Sequence, residues 1–289
     1  MPNPNFDKLN QKIRAAGADW VAGETPLSKY YGTKSASKSL GLALTPEIAF
    51  GTLQSARSED QISFAAAAPP PPEVDWRKQN NKNWVTPVRD QKSCGSCVAF
   101  ATLASLESRL LIAHNKPGAN FDLSEANLFH CGAPNSCDTG WQPELAFQHL
   151  RSNGVGLESN WPYIPRDEPC KAIPVAARID GHNVAGTSTA RKVAVGKGPV
   201  VAAMAVFGDF TAYTSGIYRH IEGGLVGYHA VCIIGYSDTQ GCWIAKNSWN
   251  PRWGESGFFR IRYGECGIDT QFPFTYPTSV SLQNGVTIN

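Results

Sequence analysis

No apolar run in this sequence is long enough to span a bilayer. Stretches such as Val231-Cys232-Ile233-Ile234 fall far below the roughly 20 residues that a membrane helix needs. There is no run of like charge either. Twenty-six Lys+Arg against 24 Asp+Glu leave a formal +2, which gives nothing that could track a phosphate backbone and disfavours nucleic acid as a partner or substrate. No internal repeat and no Asn-x-Ser/Thr sequon is present, so neither an array nor glycosylation is indicated. Met1-Pro2-Asn3-Pro4-Asn5-Phe6-Asp7 has neither the basic start nor the apolar core of a secretory signal, and no signal peptide is read in this chain. Cysteine is missing from the first 93 residues altogether.

The remaining composition is that of a globular protein. With 289 residues, 42% hydrophobic and 17% charged, whole-chain disorder, collagen and coiled coil are excluded, and the length suits about two units. A soluble monomer with no membrane contact is expected. The eight cysteines, all between Cys94 and Cys266, separate the chain into a cysteine-free N-terminal part and a cysteine-bearing remainder.

Leu9, Ile13, Ala16 and Trp20 recur at three- and four-residue steps and predict one helix in the first part. Phe64-Ala65-Ala66-Ala67-Ala68-Pro69-Pro70-Pro71-Pro72 follows. Its proline half should be extended, and the stretch reads as a linker between two functional units. Beyond it, Phe100, Leu103, Leu106, Leu110 and Leu111 place a helix over Ser96 to Ala113, and a second is predicted over Pro143–Arg151. From Val200 the pattern changes to strands over 200–206, 216–220, 229–236, 242–247 and 257–263, with Pro199 at a strand start, where proline is tolerated. Helices first and strands later predict an α+β fold with a helical half, a sheet half and a cleft between them.

The chemistry begins at Gln91-Lys92-Ser93-Cys94-Gly95-Ser96-Cys97, which sets a thiol on the first turn of a predicted helix. Unpaired backbone N–H groups and the helix dipole favour a thiolate there, and a thiolate is the nucleophile that acyl transfer needs. A bare C-x-x-C also serves zinc and redox sites. Zinc is disfavoured because Cys131 and Cys137 are too widely spaced and no second C-x-x-C follows. A thioredoxin-type site should follow a strand, whereas Asn83-Trp84-Val85-Thr86-Pro87-Val88 is short and broken by proline. Among six histidines, His229 opens the apolar run His229–Tyr236, so that a rigid strand can project its ring into a cleft. Asn247, in Lys246-Asn247-Ser248-Trp249 on the next strand, can orient an imidazole through its side-chain amide.

From about Val74 to Phe274 these residues resemble the papain-like cysteine peptidases. The likeness is carried by Val74-Asp75-Trp76-Arg77, Val85-Thr86-Pro87-Val88-Arg89-Asp90-Gln91, Ser93-Cys94-Gly95-Ser96-Cys97-Val98-Ala99-Phe100, His229-Ala230-Val231, Lys246-Asn247-Ser248-Trp249 and Trp253-Gly254-Glu255-Ser256-Gly257. His229 and Asn247 follow Cys97 by 132 and 150 residues, which matches the family's order and spacing. The resemblance implies a two-lobed papain-like fold, with a helical lobe over about 83–185 and a β-barrel-like lobe over about 186–289. It makes Cys97 the nucleophile, His229 the general base and acid, and Asn247 the residue that orients His229. Gln91 would donate to the oxyanion beside the Cys97 N–H, and Trp249 would shield the His229–Asn247 bond. The resting state is expected to be a Cys97 thiolate paired with a His229 imidazolium. No metal or cofactor is implied.

The chain departs from the family pattern twice. Val98 stands where an aromatic residue usually follows the nucleophile, and Thr139-Gly140 replaces a Gly-Gly pair, which touches the expected substrate-backbone contact of Gly140.

Within the family the likeness is to the cathepsin B branch, through Gly198-Pro199-Val200, Phe207-Gly208-Asp209-Phe210, Tyr213-Thr214-Ser215-Gly216-Ile217-Tyr218-Arg219-His220, Asn247-Ser248-Trp249-Asn250 and Gly257-Phe258-Phe259. Trp20-Val21-Ala22-Gly23 resembles part of that branch's short propeptide. Residues 1–70 are therefore expected to form an intramolecular inhibitor running through the cleft in a non-cleavable direction, with the peptidase unit at 71–289. The histidine-bearing loop that gives cathepsin B its dipeptide-removing activity is absent, which predicts an endopeptidase acting on polypeptides. The pocket for the second residue before the cut is expected to include Trp141, Ala230 and a neutral Gln271, favouring hydrophobic side chains. By resemblance Cys94 pairs with Cys137 and Cys131 with Cys170. Cys232 and Cys242 flank the turn around Asp238 and are expected to bridge across it, although the resemblance gives no support for this, and Cys266 is left over. Such bridges indicate a secreted, periplasmic or lysosome-like compartment. A non-catalytic binding protein on the same fold is the alternative reading.

Overall fold

The computed structural model describes residues 5–30, 39–63 and 69–289, with 61–63 as backbone only; the linker residues Phe64–Ala68 lie outside the described residues. Helix α1 (Phe6–Ala15) starts at Asn5, whose side-chain oxygen accepts the Lys8 N–H at 3.1 Å, and it buries Leu9 and Ile13. It stops short of the predicted Trp20 because Gly17 turns left-handed at φ 66° and Ala18 N closes on Ile13 O. Trp20 is thereby freed to dock against Tyr213 and Tyr218, at ring-centroid distances of 6.2 and 5.1 Å. Strand β1 (Val21–Ala22) follows, and Asn10 bonds both backbone groups of Ala22, at 2.8 and 2.9 Å. A long helix that the sequence reading did not predict, α2 (Pro46–Ser63), buries Ala49, Leu53, Ala56 and Asp60.

The proline end of the linker lies on the sheet: Tyr236 donates to Pro71 O at 2.7 Å and the Asp238 N–H to Pro72 O at 2.9 Å. Strand β2 (Glu73–Asp75) continues from there. Helix α3 (Cys97–Ala113) is buried almost all round instead of along one stripe, since a sheet covers one side and two further helices the other. Those helices are α4 (Glu125–Gly132), capped by Ser124, and α5 (Pro143–Asn153), which has proline in its first turn and ends at Gly154 with φ 73°.

Strands β3 (Ala177–Ile179) and β4 (His182–Ala185) lead into α6 (Ser188–Gly196), capped by Thr187. Then come β5 (Val200–Phe207), β6 (Tyr213–Ser215), β7 (Ile217–Tyr218), β8 (Leu225–Ser237), β9 (Cys242–Lys246), β10 (Phe258–Arg262), β11 (Phe274–Pro277) and β12 (Val280–Leu282). The strand predicted over 216–220 is broken at Gly216, which adopts φ 93° beneath Trp20.

The large sheet runs β4-β11-β5-β8-β9-β10-β7, with β2 added to one end of β8. Only β10–β7 is parallel. Apart from β2, its strands begin at His182, slightly before the lobe boundary read from sequence. Both ends of the cysteine-bearing part cross between lobes: β2 joins β8, and β12 returns to pair with β3. Register sets Met204 opposite His229 and Cys232 opposite Lys246. Behind the cleft, Phe210 lies among Tyr213, Tyr218, Trp249, Trp253 and Phe259 at ring distances of 4.7–6.2 Å, and Trp20 extends this cluster from the N-terminal part.

Candidate active site

Cys97 is the first residue of α3 and is fully buried at the junction of helix and sheet. The turn before it is held by the Cys94–Cys137 disulfide and by the Gly95 N–H on Cys137 O at 2.7 Å. The second bridge joins Cys131 and Cys170. Cys97 Sγ accepts the Ala230 N–H at 3.4 Å, so the strand that carries His229 also touches the thiol.

His229 Nε2 and Asn247 Oδ1 are 2.8 Å apart, and Asn247 Oδ1 also takes the Ser248 N–H at 2.8 Å. Nδ1 of His229 is buried without a hydrogen-bond partner among the described residues, which leaves that nitrogen for a proton shared with the thiol. The ring of Trp249 stacks on His229 at 4.6 Å. Gln91 donates its amide to Cys94 O at 3.0 Å, and its Oε1 accepts the Ser248 hydroxyl at 2.6 Å. Ser248, which sequence reasoning did not single out, therefore links Gln91 to Asn247.

Residues 39–43 lie across these groups. Trp249 donates its indole N–H to Ser39 O at 3.1 Å, Leu42 N bonds Tyr228 O at 3.3 Å, and Gly41 O and Ala43 N bond the backbone of Trp141, both at 2.8 Å. Leu42 and Trp141 pair in parallel. A Cβ on Gly41 would lie 1.8 Å from Gly95 O, and one on Gly140 2.2 Å from Gly41 O, so three glycines interlock over the thiol. Leu40-Gly41-Leu42 carries no periodic signal that would have revealed this. The α2 helix could have been found from the four-three-four spacing of Ala49, Leu53, Ala56 and Asp60. At its far end Asp60 Oδ2 accepts the Gly186 and Thr187 N–H groups at 2.7 and 2.8 Å.

Burial acts against both charges of the ion pair expected from the sequence. It pushes the Cys97 thiol up to about 12, although the Ala230, Gly41, Val98 and Cys97 backbone N–H groups pull the other way. It also pushes His229 down to about 4, opposed only by the bond to Asn247. With the cleft covered, both shifts favour the neutral thiol and the neutral imidazole, because neither charge has water around it.

One further expectation needs correction. Cys232 and Cys242 do not bridge: the register sets Cys242 opposite Ser237, five residues along β8 from Cys232, or about 16 Å, far beyond the ~7 Å that a disulfide can span. Both are free, as are Cys97 and Cys266. Gln271 is exposed, with its amide over Gly267. It does not line the ≈100 Å³ cavity beside the covering segment, where Leu44, Ala203, Pro273 and Thr275 meet. Trp141 offers the cleft its backbone, while its indole turns into the helical lobe against Gly132, Phe129 and His149. Among the described residues no three His, Cys, Asp or Glu side chains converge as metal ligands, and no helix is long and apolar enough to cross a membrane.

A helix-start cysteine, a strand histidine and an asparagine oriented in this way match the family model "Papain family cysteine protease", which covers residues 70–276. The chain belongs to the papain family of cysteine proteases. Cysteine proteinase 1 of Entamoeba histolytica is 36% identical to it over 224 residues, 73% of this chain and 69% of that protein. The solved digestive procathepsin L2 proteinase from Tenebrio molitor larval midgut superposes with a TM-score of 0.76 at 29% identity, covering 95% of this chain and 89% of that one. ProCathepsin B S9 from Trypanosoma congolense gives 0.75 over 98% of this chain and all of that one, a likeness of fold alone at 22% identity. The papain-family fold is thus shared with zymogen structures, and the protein is a cysteine protease.

Proposed function

We propose that this papain-family protease is a thiol endopeptidase whose first 70 residues hold it inactive. The observation that carries the reading is the oriented imidazole: Asn247 engages Nε2 and leaves Nδ1 open, while the Ala230 N–H ties the same strand to Cys97 Sγ. Once the cleft opens, the Cys97 proton passes to His229 Nδ1 and the thiolate attacks a peptide carbonyl carbon. The carbonyl oxygen becomes an oxyanion that receives hydrogen bonds from Gln91 Nε2 and the Cys97 N–H, each such donor being worth about 3 kcal/mol of barrier. His229 then protonates the leaving amine, and an acyl-enzyme remains. Water attacks that acyl-enzyme as His229 takes its proton, releasing the carboxylic acid and restoring the thiol. Trp249, stacked on His229, keeps water from the His229–Asn247 bond.

The parallel pairing of Leu42 with Trp141 and the Gly41 contact over Cys97 support a covering segment that is not cut by the site it fills. The cathepsin B-like motifs Phe207-Gly208-Asp209-Phe210 and Asn247-Ser248-Trp249-Asn250 favour that branch. Hydrophobic side chains are favoured before the cut, with Ala203 and Pro273 beside the neutral Gln271 position. The two disulfides favour an extracytoplasmic compartment, and a monomer is the working state.

The test is a fluorogenic peptide assay on processed protein, with and without a thiol-alkylating epoxide. Turnover that is lost as Cys97 becomes labelled is the expected result. No turnover and no labelling would leave a non-catalytic binding protein instead.

A further inference from the structure

We infer that Tyr163 is a positioning residue that staples the two ends of the oxyanion-forming loop, Gln91 and Ser96, so that the Gln91 amide and the Cys97 N–H aim at one point. The inference rests on the assignment of those two groups as oxyanion donors. The phenol reaches the loop from 72 residues downstream of Gln91: it donates to Gln91 O at 3.0 Å, and it lies 2.7 Å from Ser96 Oγ. A carbonyl can only accept, so the phenolic hydrogen is committed to Gln91 and the serine hydroxyl donates to the phenol.

Two further observations show that this link is imposed on the loop from outside. The ring of Tyr163 is fixed edge-on to Phe100 at 4.9 Å and 89°, and its backbone N–H is held by the Glu158 carboxylate at 2.7 Å. Ser96 stands at the N-cap of α3, where a serine hydroxyl ordinarily accepts a helix N–H, yet its side chain caps nothing. Its hydroxyl lies 2.7 Å from Tyr163 instead, with Cys94 O a more distant acceptor at 3.5 Å. Burial raises the Tyr163 hydroxyl above its ordinary range, so it stays a neutral donor throughout the working pH of the enzyme. The donors of an oxyanion hole act only within narrow distances, and misplacement by about 1 Å can cost ~100-fold in rate.

The test compares two reactions of Cys97 in the full chain processed to its active form, at equal titrated site concentration. Peptide hydrolysis develops an oxyanion, whereas alkylation by iodoacetamide displaces iodide at a saturated carbon and develops none. Tyr163→Phe, which keeps the ring against Phe100, is expected to lower kcat for hydrolysis about 10- to 100-fold with KM within about twofold. The rate and pH profile of alkylation stay those of the parent. Ser96→Ala removes the same link from the other end. It should give the same split, and the double variant should be no worse than either single one. Wild-type hydrolysis in both variants overturns the inference, as does a parallel fall in hydrolysis and alkylation. Gln91→Ala separates the two levels: if it leaves hydrolysis intact the oxyanion assignment fails, and if it abolishes hydrolysis while Tyr163→Phe does not, only the staple is refuted.

Discussion

Gly41→Ala in the full-length chain is the sharpest perturbation of the covered cleft. The added Cβ would stand 1.8 Å from Gly95 O and 2.0 Å from Gly95 C, and both of its neighbours are backbone atoms that cannot swing aside. Relief requires the segment to retreat by about 1 Å or more, which takes hydrogen bonds of ordinary length beyond the range in which they hold. Three are at stake: Trp141 N to Gly41 O at 2.8 Å, Ala43 N to Trp141 O at 2.8 Å and Leu42 N to Tyr228 O at 3.3 Å. At ~1 kcal/mol net for each, the closed state loses about 3 kcal/mol, or roughly a hundredfold in the closed-to-open ratio. The assay is the rate at which iodoacetamide labels Cys97 in the uncut chain at neutral pH, located by peptide mass. About a hundredfold faster labelling is expected at an unchanged melting temperature of the catalytic part. Gly51→Ala is the control, since nothing lies within 4 Å of a Cβ there and labelling should not change. If Gly41→Ala labels at the parent rate, residues 39–43 do not control access to the thiol and the reasoning fails.

Acid should open the cleft. His229 in the covered form titrates near 4 against about 6.5 when free, so opening takes up a proton between these values. It is favoured progressively by up to about 3 kcal/mol as pH falls from 6.5 to 4, and gains nothing more below 4. Hydrogen exchange over residues 39–43 in a Cys97→Ser chain at pH 7, 5.5 and 4 should show this rise, and a flat profile counts against it. Asp60→Ala leaves the buried Gly186 N–H and the part-buried Thr187 N–H unpaired, at about 1–3 kcal/mol, so Cys97 labelling of the zymogen should rise by roughly ten- to a hundredfold while turnover by the processed enzyme is unchanged. Thiol titration in denaturant without reductant should count four free cysteines, and two would restore the Cys232–Cys242 bridge. Cys94→Ser removes a bridge that closes a 43-residue separation and should cost about 3–4 kcal/mol of stability, whereas Cys97→Ser ends activity without that loss.

The α+β order, helix α3 and the strands around His229 and Asn247 were legible because their signals are local: a helical repeat, β-branched runs between turn residues, and an invariable chemical need for a thiol, a base and an orienting amide. Helix α2 was missed because its buried stripe carries a single large apolar residue, Leu53, beside two alanines and an aspartate whose partners are the backbone of Gly186 and Thr187. The third bridge failed for a different reason. Flanking a turn in sequence says nothing about register, and register alone separates Cys232 from Cys242.

By itself the sequence determined the family, and it pointed to a nucleophile, a base and a division into an N-terminal segment and a catalytic unit, since each of these readings depends on residue identity and spacing. Only the tertiary structure decided how deeply those groups are buried. Burial disfavours charge on Cys97 and His229, and the Gly41 backbone that touches the thiol comes from the N-terminal part of the chain. The link from Tyr163 to Gln91 and Ser96 is likewise a matter of three-dimensional closure. Hydrogen bonds reach only about 3 Å, and residues separated by tens of positions in the chain meet at that distance only once the lobes are built.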